Sequence, residues 1–123
     1  MTSKMMKKLH RLAKTDFQRS TKGLDAAARE GRQKAVAKRH GGVLGLGALV
    51  LSQPYDVPEW LPNTLVSLAP NTQDPMPVGA SAKKIFQEFR RTHRDEWHIF
   101  KNKFDEEQLD IINDCTESLS YFA

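Results

Sequence analysis

One cysteine, Cys115, stands among 123 residues, so no disulfide can close within the chain and a reducing compartment suits it. Long apolar runs are scarce as well. The longest, Val43 to Leu51, has nine residues, whereas a helix that crosses a membrane needs about 20, so no span is expected. The N-terminal stretch lacks the apolar core of a secretory signal. Patterns that carry chemistry are also wanting. His93 and His98 are five apart, which puts them on different faces of a helix and breaks the i, i+4 spacing of a metal pair. Gly45 and Gly47 are followed by Val50, so the third glycine of a dinucleotide fingerprint is missing, and no G-K-[ST] follows. Cys115 falls on the inward stripe of a helix and reads as a small buried hydrophobe, not a nucleophile. No catalytic residue, cofactor or metal is expected, and the sequence does not read as an enzyme.

Charge of one sign is missing over long stretches. Lys and Arg are absent from residues 41–80, and no acid appears before Asp16. Residues 1–40 hold twelve Lys/Arg against three acids, a balance of +9, so the overall +4 belongs to the N-terminal third alone. Residues 4–39 therefore form a basic surface suited to nucleic acid, an acidic protein surface or anionic lipid, or a solvated helix face. The first element, Lys4 to Lys14, places Met5, Leu9 and Leu12 on one face with cations around the rest. It reads as a nuclear-localisation patch, a membrane-surface helix, a transit peptide, or a helix packed by its Met/Leu stripe.

The remaining chain is patterned for helices. After a loop at 15–24, Asp25 is a plausible N-cap for a helix that continues through Gly41 and Gly42 to about Leu51, with Val36, His40, Val43, Gly47 and Val50 on one stripe. Four glycines within Gly41–Gly47 each cost about 1 kcal/mol relative to Ala in a helix interior, which calls for close approach of a neighbouring helix. A strand over residues 41–52 is the alternative. Gln53 to Pro58 turns the chain, Pro58 suits a first helical turn, and Pro62 places the regular part of the next helix late. Leu61, Leu65 and Leu68 form its stripe. Ala69 to Gly79, with Pro70, Pro75 and Pro77, reads as a rigid loop. A helix from about Ser81 carries Ala82, Ile85, Phe86 and Phe89 inward, with Arg90, Arg91, His93 and Arg94 as a basic outer strip. Trp97 and Phe100 fit a short helix. Asp105 with Gln108 three residues on predicts a capping box, and the acidic first turn that follows matches the helix dipole.

Four segments, taken together, carry a resemblance. They are Arg39-His40-Gly41-Gly42-Val43-Leu44-Gly45-Leu46, Ser52-Gln53-Pro54-Tyr55-Asp56-Val57-Pro58-x-Trp60-x-Pro62, Phe89-Arg90-Arg91-Thr92-His93, and the aromatic-aromatic-alanine end. Over roughly residues 32–123 the chain resembles the C-terminal domain of the large single-chain, ATP-independent proteasome activators (proteasome activator complex subunit 4-like). The resemblance implies an all-α, HEAT-like solenoid end of about four to six helices. It also implies a role in degradation without ubiquitin or ATP, a nuclear and cytoplasmic location, and links to DNA repair and removal of acetylated histones. In that family a hydrophobic–tyrosine–any-residue tail enters a pocket between α-subunits of the proteasome core particle. Carried over by position, Tyr121 is the hydrophobic residue, Phe122 replaces the tyrosine and Ala123 supplies the terminal carboxylate. Phe122 keeps the ring but loses the hydroxyl, which puts gate opening in doubt more than docking. Three parts follow: a basic N-terminal arm (1–24), a HEAT-like helical domain (25–119) and a docking tail (120–123). The rival expectations are a small basic nucleic-acid or chromatin-binding helical module using Lys4–Arg39, and a structural remnant with no partner.

Overall fold

The computed structural model describes residues 3–120, and side chains for residues 3–116. Among them all regular structure is helical: α1 (Ser3–Ala13), α2 (Ala26–Leu51), α3 (Leu61–Leu68), α4 (Val78–His93), α5 (Trp97–Phe100) and α6 (Glu106–Ser120). Short 3-10 turns lie at Ala69–Gln73 and Lys101–Lys103. The all-α architecture stands, and the strand alternative over residues 41–52 falls to a continuous helix.

α2 is the spine. It starts where expected: the Asp25 carboxylate accepts the Ala28 amide at 2.8 Å, satisfying one of the donors a helix start leaves free. Its glycines bring the neighbours in. A Cβ on Gly42 would collide with the backbone of Leu12 and Ala13, one on Gly45 with the Leu9 side chain, and one on Gly47 with Ile85 of α4. Gly45 facing Leu9 and Gly42 facing Ala13 make α1 antiparallel to α2. Gly41 faces open space, so it alone of the four has no packing reason.

The core forms on the other side of this spine. Val43, Leu46 and Val50 of α2 meet Leu61, Leu65 and Leu68 of α3, and Ala82, Ile85, Phe86 and Phe89 of α4, with Ile112 of α6 closing the cluster. The stripes expected for α3 and α4 are thus the buried faces. Three local readings need correction. Pro58 lies before the helix, its carbonyl accepting the Leu61 amide at 3.0 Å; Pro62 is the proline in the first turn of α3. Residues 69–79 are not a loop throughout, because a 3-10 turn follows α3 directly and α4 starts at Val78. The Pro75 and Pro77 carbonyls accept the Gly79 and Ser81 amides, so these prolines open α4 as acceptors and lose nothing for want of an N–H. His93 does not belong to a basic outer strip; it is 1% exposed.

A single buried carboxylate joins the layers. Arg39 of α2 donates to Asp74 from Nε at 2.7 Å and from Nη2 at 3.1 Å. Arg19 donates to the same carboxylate at 2.8 Å and Asn71 at 3.0 Å. Asn71 also donates to the Ala13 carbonyl at 3.0 Å, and Arg39 to that of Thr15 at 3.1 Å. Burial pushes the Asp74 carboxyl up, but the hydrogen bonds from Arg39, Arg19 and Asn71 and the Arg39 charge outweigh it, leaving its pKa below the ordinary value.

Two stability measurements follow from this packing. Gly42→Ala overpacks the α1–α2 contact and costs about 1–3 kcal/mol in urea unfolding, whereas Gly41→Ala, with open space around it, stabilises by about 0.5–1 kcal/mol. Equal effects at the two positions would refute the close-contact account. Asp74 has its pKa depressed in the folded state, so its contribution is complete above the unfolded-state value and is lost as pH falls through the folded one. Asp74→Asn leaves Arg39 buried without its counter-charge and costs about 3–5 kcal/mol at neutral pH. Its urea midpoint also declines less steeply than that of the native chain from about pH 5 downward. Parallel declines would show that the ion pair contributes nothing to acid lability.

Candidate functional site

The docking residues expected at the C-terminus, Tyr121, Phe122 and Ala123, lie outside the described residues. What can be built from the residues upward is the frame that leads to them, which is α6. Its start is pinned by the expected capping box: the Asp105 carboxylate accepts the Gln108 amide at 2.7 Å and the Gln108 side chain accepts the Asp105 amide at 2.9 Å. Glu106 and Glu107 add negative charge to the positive helix end. The same Gln108 donates to Asn63 of α3 at 3.0 Å, so one side chain caps α6 and ties it to its neighbour. Further along, Ile112 is buried at 2% exposure, Cys115 packs half-buried against the core, and Arg90 of α4 reaches the Thr116 carbonyl at 3.5 Å. Burial raises the Cys115 thiol above its ordinary pKa, with Asp114 adding to the effect and a hydrogen bond with Thr72 opposing it. A thiol held protonated is a poor nucleophile. Between α4 and α6 opens a cleft of about 230 Å³, its apolar side made by Phe89, Trp97 and Ile112 and its polar side by Arg90, Arg94, Asn113 and Thr116.

The two segments that stand out most in the sequence, PYDVP and FRRTH, meet. The His93 ring lies in an aromatic cluster, stacked on Phe89 at 4.2 Å between centroids and edge-on to Phe100 at 5.0 Å. Its Nε2 is 2.8 Å from the Asp56 carbonyl, which can only accept, so the ring donates there. Nδ1 is 2.9 Å from the Thr92 hydroxyl. Asp56 folds its own turn by accepting the Val57 amide at 2.8 Å, and Val57 is buried at 3% exposure. Tyr55, beside this anchor, is 85% exposed. A buried histidine therefore fixes a turn that displays a tyrosine. The sequence held a signal for the buried His93, since Ala82, Phe86, Phe89 and His93 follow one stripe at spacings of four, three and four. It held none for Tyr55.

The basic surface divides into two populations. Lys4, Lys7, Lys8, Arg11 and Lys14 are exposed around α1. Arg19, Arg32 and Arg39 gather on Phe17, with guanidinium carbons 4.1, 5.5 and 5.4 Å from its ring centroid. Arg32 also donates to the Gln18 carbonyl at 2.7 Å. These three arginines are structural. His10 of α1 contacts the hydroxyls of Thr64 and Ser67 at 3.4 and 3.2 Å, and burial, with Lys14 nearby, lowers its pKa. Among the described residues no group of three or more His, Cys, Asp or Glu is placed to hold a metal, and no helix is long and apolar enough to cross a membrane.

Residues 36–123 match the model of the family described as proteasome activator complex subunit 4-like, C-terminal. The chain is 48% identical over 88 residues to "Proteasome activator complex subunit 4" of Homo sapiens, a match covering 72% of this chain and 5% of that protein. It is 49% identical over 90 residues to "Proteasome activator subunit 4" of Arabidopsis thaliana, covering 73% of this chain and 5% of the relative. With "Proteasome activator BLM10" of Saccharomyces cerevisiae the identity is 33% over 103 residues, covering 78% of this chain and again 5% of the relative. The chain thus spans about one-twentieth of the length of these relatives. Gly42, Gly47, the His93-anchored turn, the capping box and Asp74 all lie inside the matched segment, and the chain belongs to the proteasome activator complex subunit 4-like, C-terminal family.

Proposed function

We propose that this domain binds the proteasome core particle, with Tyr121, Phe122 and Ala123 as the docking element and α6 as the post that carries it. The observation that carries the proposal is the family match, which runs to Ala123 and so includes the tail as well as the helices beneath it. The frame supports the reading. A short peptide tail gains affinity when its base is fixed, because less conformational freedom is lost on binding, and α6 is tied to α3 by Gln108 and to α4 by Arg90. The helices would serve as the end of a HEAT-like solenoid, and the partner would be the α-ring, with the terminal carboxylate and the aromatic pair entering a pocket between two α-subunits. Nuclear and cytoplasmic placement belongs to the same proposal.

A second reading draws on the exposed cations in and just after α1, Lys4, Lys7, Lys8, Arg11 and Lys14, which form no ion pair among the described residues. They suit nucleic acid or an acidic protein surface. Affinity resting on phosphate contacts falls steeply as salt rises, and it is indifferent to the tail.

Deletion of Tyr121–Ala123 separates the two. Binding of the full chain to purified core particles is expected to disappear with the deletion and to persist when Lys4, Lys7 and Lys8 are changed to Gln; the reverse pattern would favour the basic surface. The Phe122 side chain makes a finer prediction. Restoring the hydroxyl in Phe122→Tyr supplies a hydrogen bond worth about 1–3 kcal/mol if its partner is buried. Stimulation of core peptidase activity should then rise by about 5- to 140-fold at subsaturating concentration. An unchanged activity would remove the hydroxyl from the mechanism while leaving docking intact.

A further inference from the structure

The turn at Tyr55 has properties that the packing of this domain does not use. Pro54 and Pro58 restrict the backbone on either side, the His93 ring donates to the Asp56 carbonyl at 2.8 Å, and Val57 is buried. Yet Tyr55 is 85% exposed, and its side chain makes no hydrogen bond or ring contact among the described residues; its one electrostatic neighbour is Arg91, which Glu88 already holds. A bulky aromatic held out on a fixed backbone is the kind of group that binding surfaces use, because its ring has few rotamers to lose on contact.

Tyr55 also forms part of an open cleft of about 460 Å³, whose other lining residues are Thr92, Asp95, Glu96 and Phe100. Phe100 is fixed from behind by the edge-on contact with His93. Asp95 and Glu96 are exposed, and neither side chain has an ion-pair or hydrogen-bond partner among the described residues. Arg91, next to Thr92 in sequence, does not serve them, since it is held by Glu88 at 2.7 and 3.1 Å. The cleft therefore combines two aromatic rings with two free carboxylates. A cation with a flat, weakly hydrated face satisfies both, stacking on the rings and hydrogen-bonding to the acids. A phosphate or a carboxylate would be repelled, and a purely apolar side chain would leave the acids at the rim unpaired.

We propose that the cleft formed by Tyr55, Phe100, Asp95 and Glu96 is a docking site for an arginine side chain presented by a partner protein. The guanidinium lies against the aromatic walls and donates to Asp95 and Glu96, while Thr92 offers a further acceptor at the cleft. The site is separate from the C-terminal tail in sequence and in chemistry, and it holds whether or not the tail binds the proteasome. Lysine fits less well, because its compact ammonium is more strongly hydrated and cannot present two parallel donors.

The test is an NMR titration of the isotope-labelled full chain with the blocked peptide Ac-Gly-Arg-Gly-amide. The same peptide with citrulline in place of arginine keeps the shape and removes the charge. The expected result is a saturable shift of the Tyr55, Asp95, Glu96 and Phe100 amides, at least about tenfold weaker with citrulline. Tyr55→Ala alone and the pair Asp95→Asn with Glu96→Gln should each abolish it. These positions are exposed, so unchanged signals from Leu46 and Phe86 verify that each variant remains folded. Equal response to citrulline, shifts centred on the acids of α6, survival of binding in Tyr55→Ala, or no saturable shift would each overturn the proposal.

Discussion

Asp74 is where three segments of the chain are tied. Its carboxylate receives Arg39 from α2, Arg19 from the loop after α1, and Asn71 from the 3-10 turn after α3. Those partners in turn hold the Ala13 and Thr15 carbonyls at the end of α1. Nothing in this arrangement is cheap. A buried carboxylate and a buried guanidinium each cost several kcal/mol of desolvation, and only full hydrogen bonding offsets it. Here the offset is complete, since no buried side-chain polar atom among the described residues lacks a partner. The gain is register: an apolar contact between α1 and α2 would tolerate sliding by a residue, whereas bonds to two named carbonyls do not. With α1 and α2 fixed, Gly47 can admit Ile85, and α4 then sets the position of His93 and, through it, the Tyr55 turn.

The same constraint explains which parts of the fold were legible in the sequence. The N-cap at Asp25, the uninterrupted helix to Leu51, the stripes of α3 and α4 and the capping box at Asp105 are all local: each depends on residues within a few positions of one another. The glycines of α2 were readable in kind, because a helix that carries them in its interior needs a reason, and close approach is the usual one. Which glycine faces which neighbour was not readable. Gly42 and Gly45 serve α1, Gly47 serves α4 and Gly41 serves nothing, and that division depends on the helical phase of all three elements.

What stayed hidden was long-range and polar. Asp74 is the one acid in a proline-rich stretch without cations, and nothing near it announces that its partners stand 35 and 55 residues away. The basic charge of residues 1–40 misleads in the same way. Arg19, Arg32 and Arg39 look like part of a solvated or nucleic-acid-facing surface, but all three gather on one aromatic ring, Phe17, Arg19 and Arg39 also bind one carboxylate, and Arg39 is buried while Arg19 stays exposed. The company His93 keeps, Arg90, Arg91 and Arg94, points to an outer strip, yet the ring is buried. Its spacing from Phe89 is the better guide, because an imidazole can close an aromatic stripe if both nitrogens find partners, as they do at the Asp56 carbonyl and at Thr92 and the Phe89 carbonyl. The C-terminal tail is a different matter: its reading rests on resemblance and on no packing.

The segment outside the family match bears on this. Residues 3–24 precede the matched region, which begins at 36, yet they cover its Gly42 and Gly45 faces and supply Arg19 and the Ala13 and Thr15 carbonyls to its polar hub. α1 thus covers a face of α2 that belongs to the matched segment. It reaches the glycine faces with an apolar side, Leu9, Leu12 and Ala13, and turns its lysines outward. The cations in and just after this helix lie on the face opposite the contact, and among the described residues none of the five, Lys4, Lys7, Lys8, Arg11 and Lys14, forms an ion pair. Four of those five, Lys4, Lys7, Lys8 and Arg11, lie within α1 itself, so packing and surface charge sit on opposite sides of one helix and a packing role and a binding role for it do not compete.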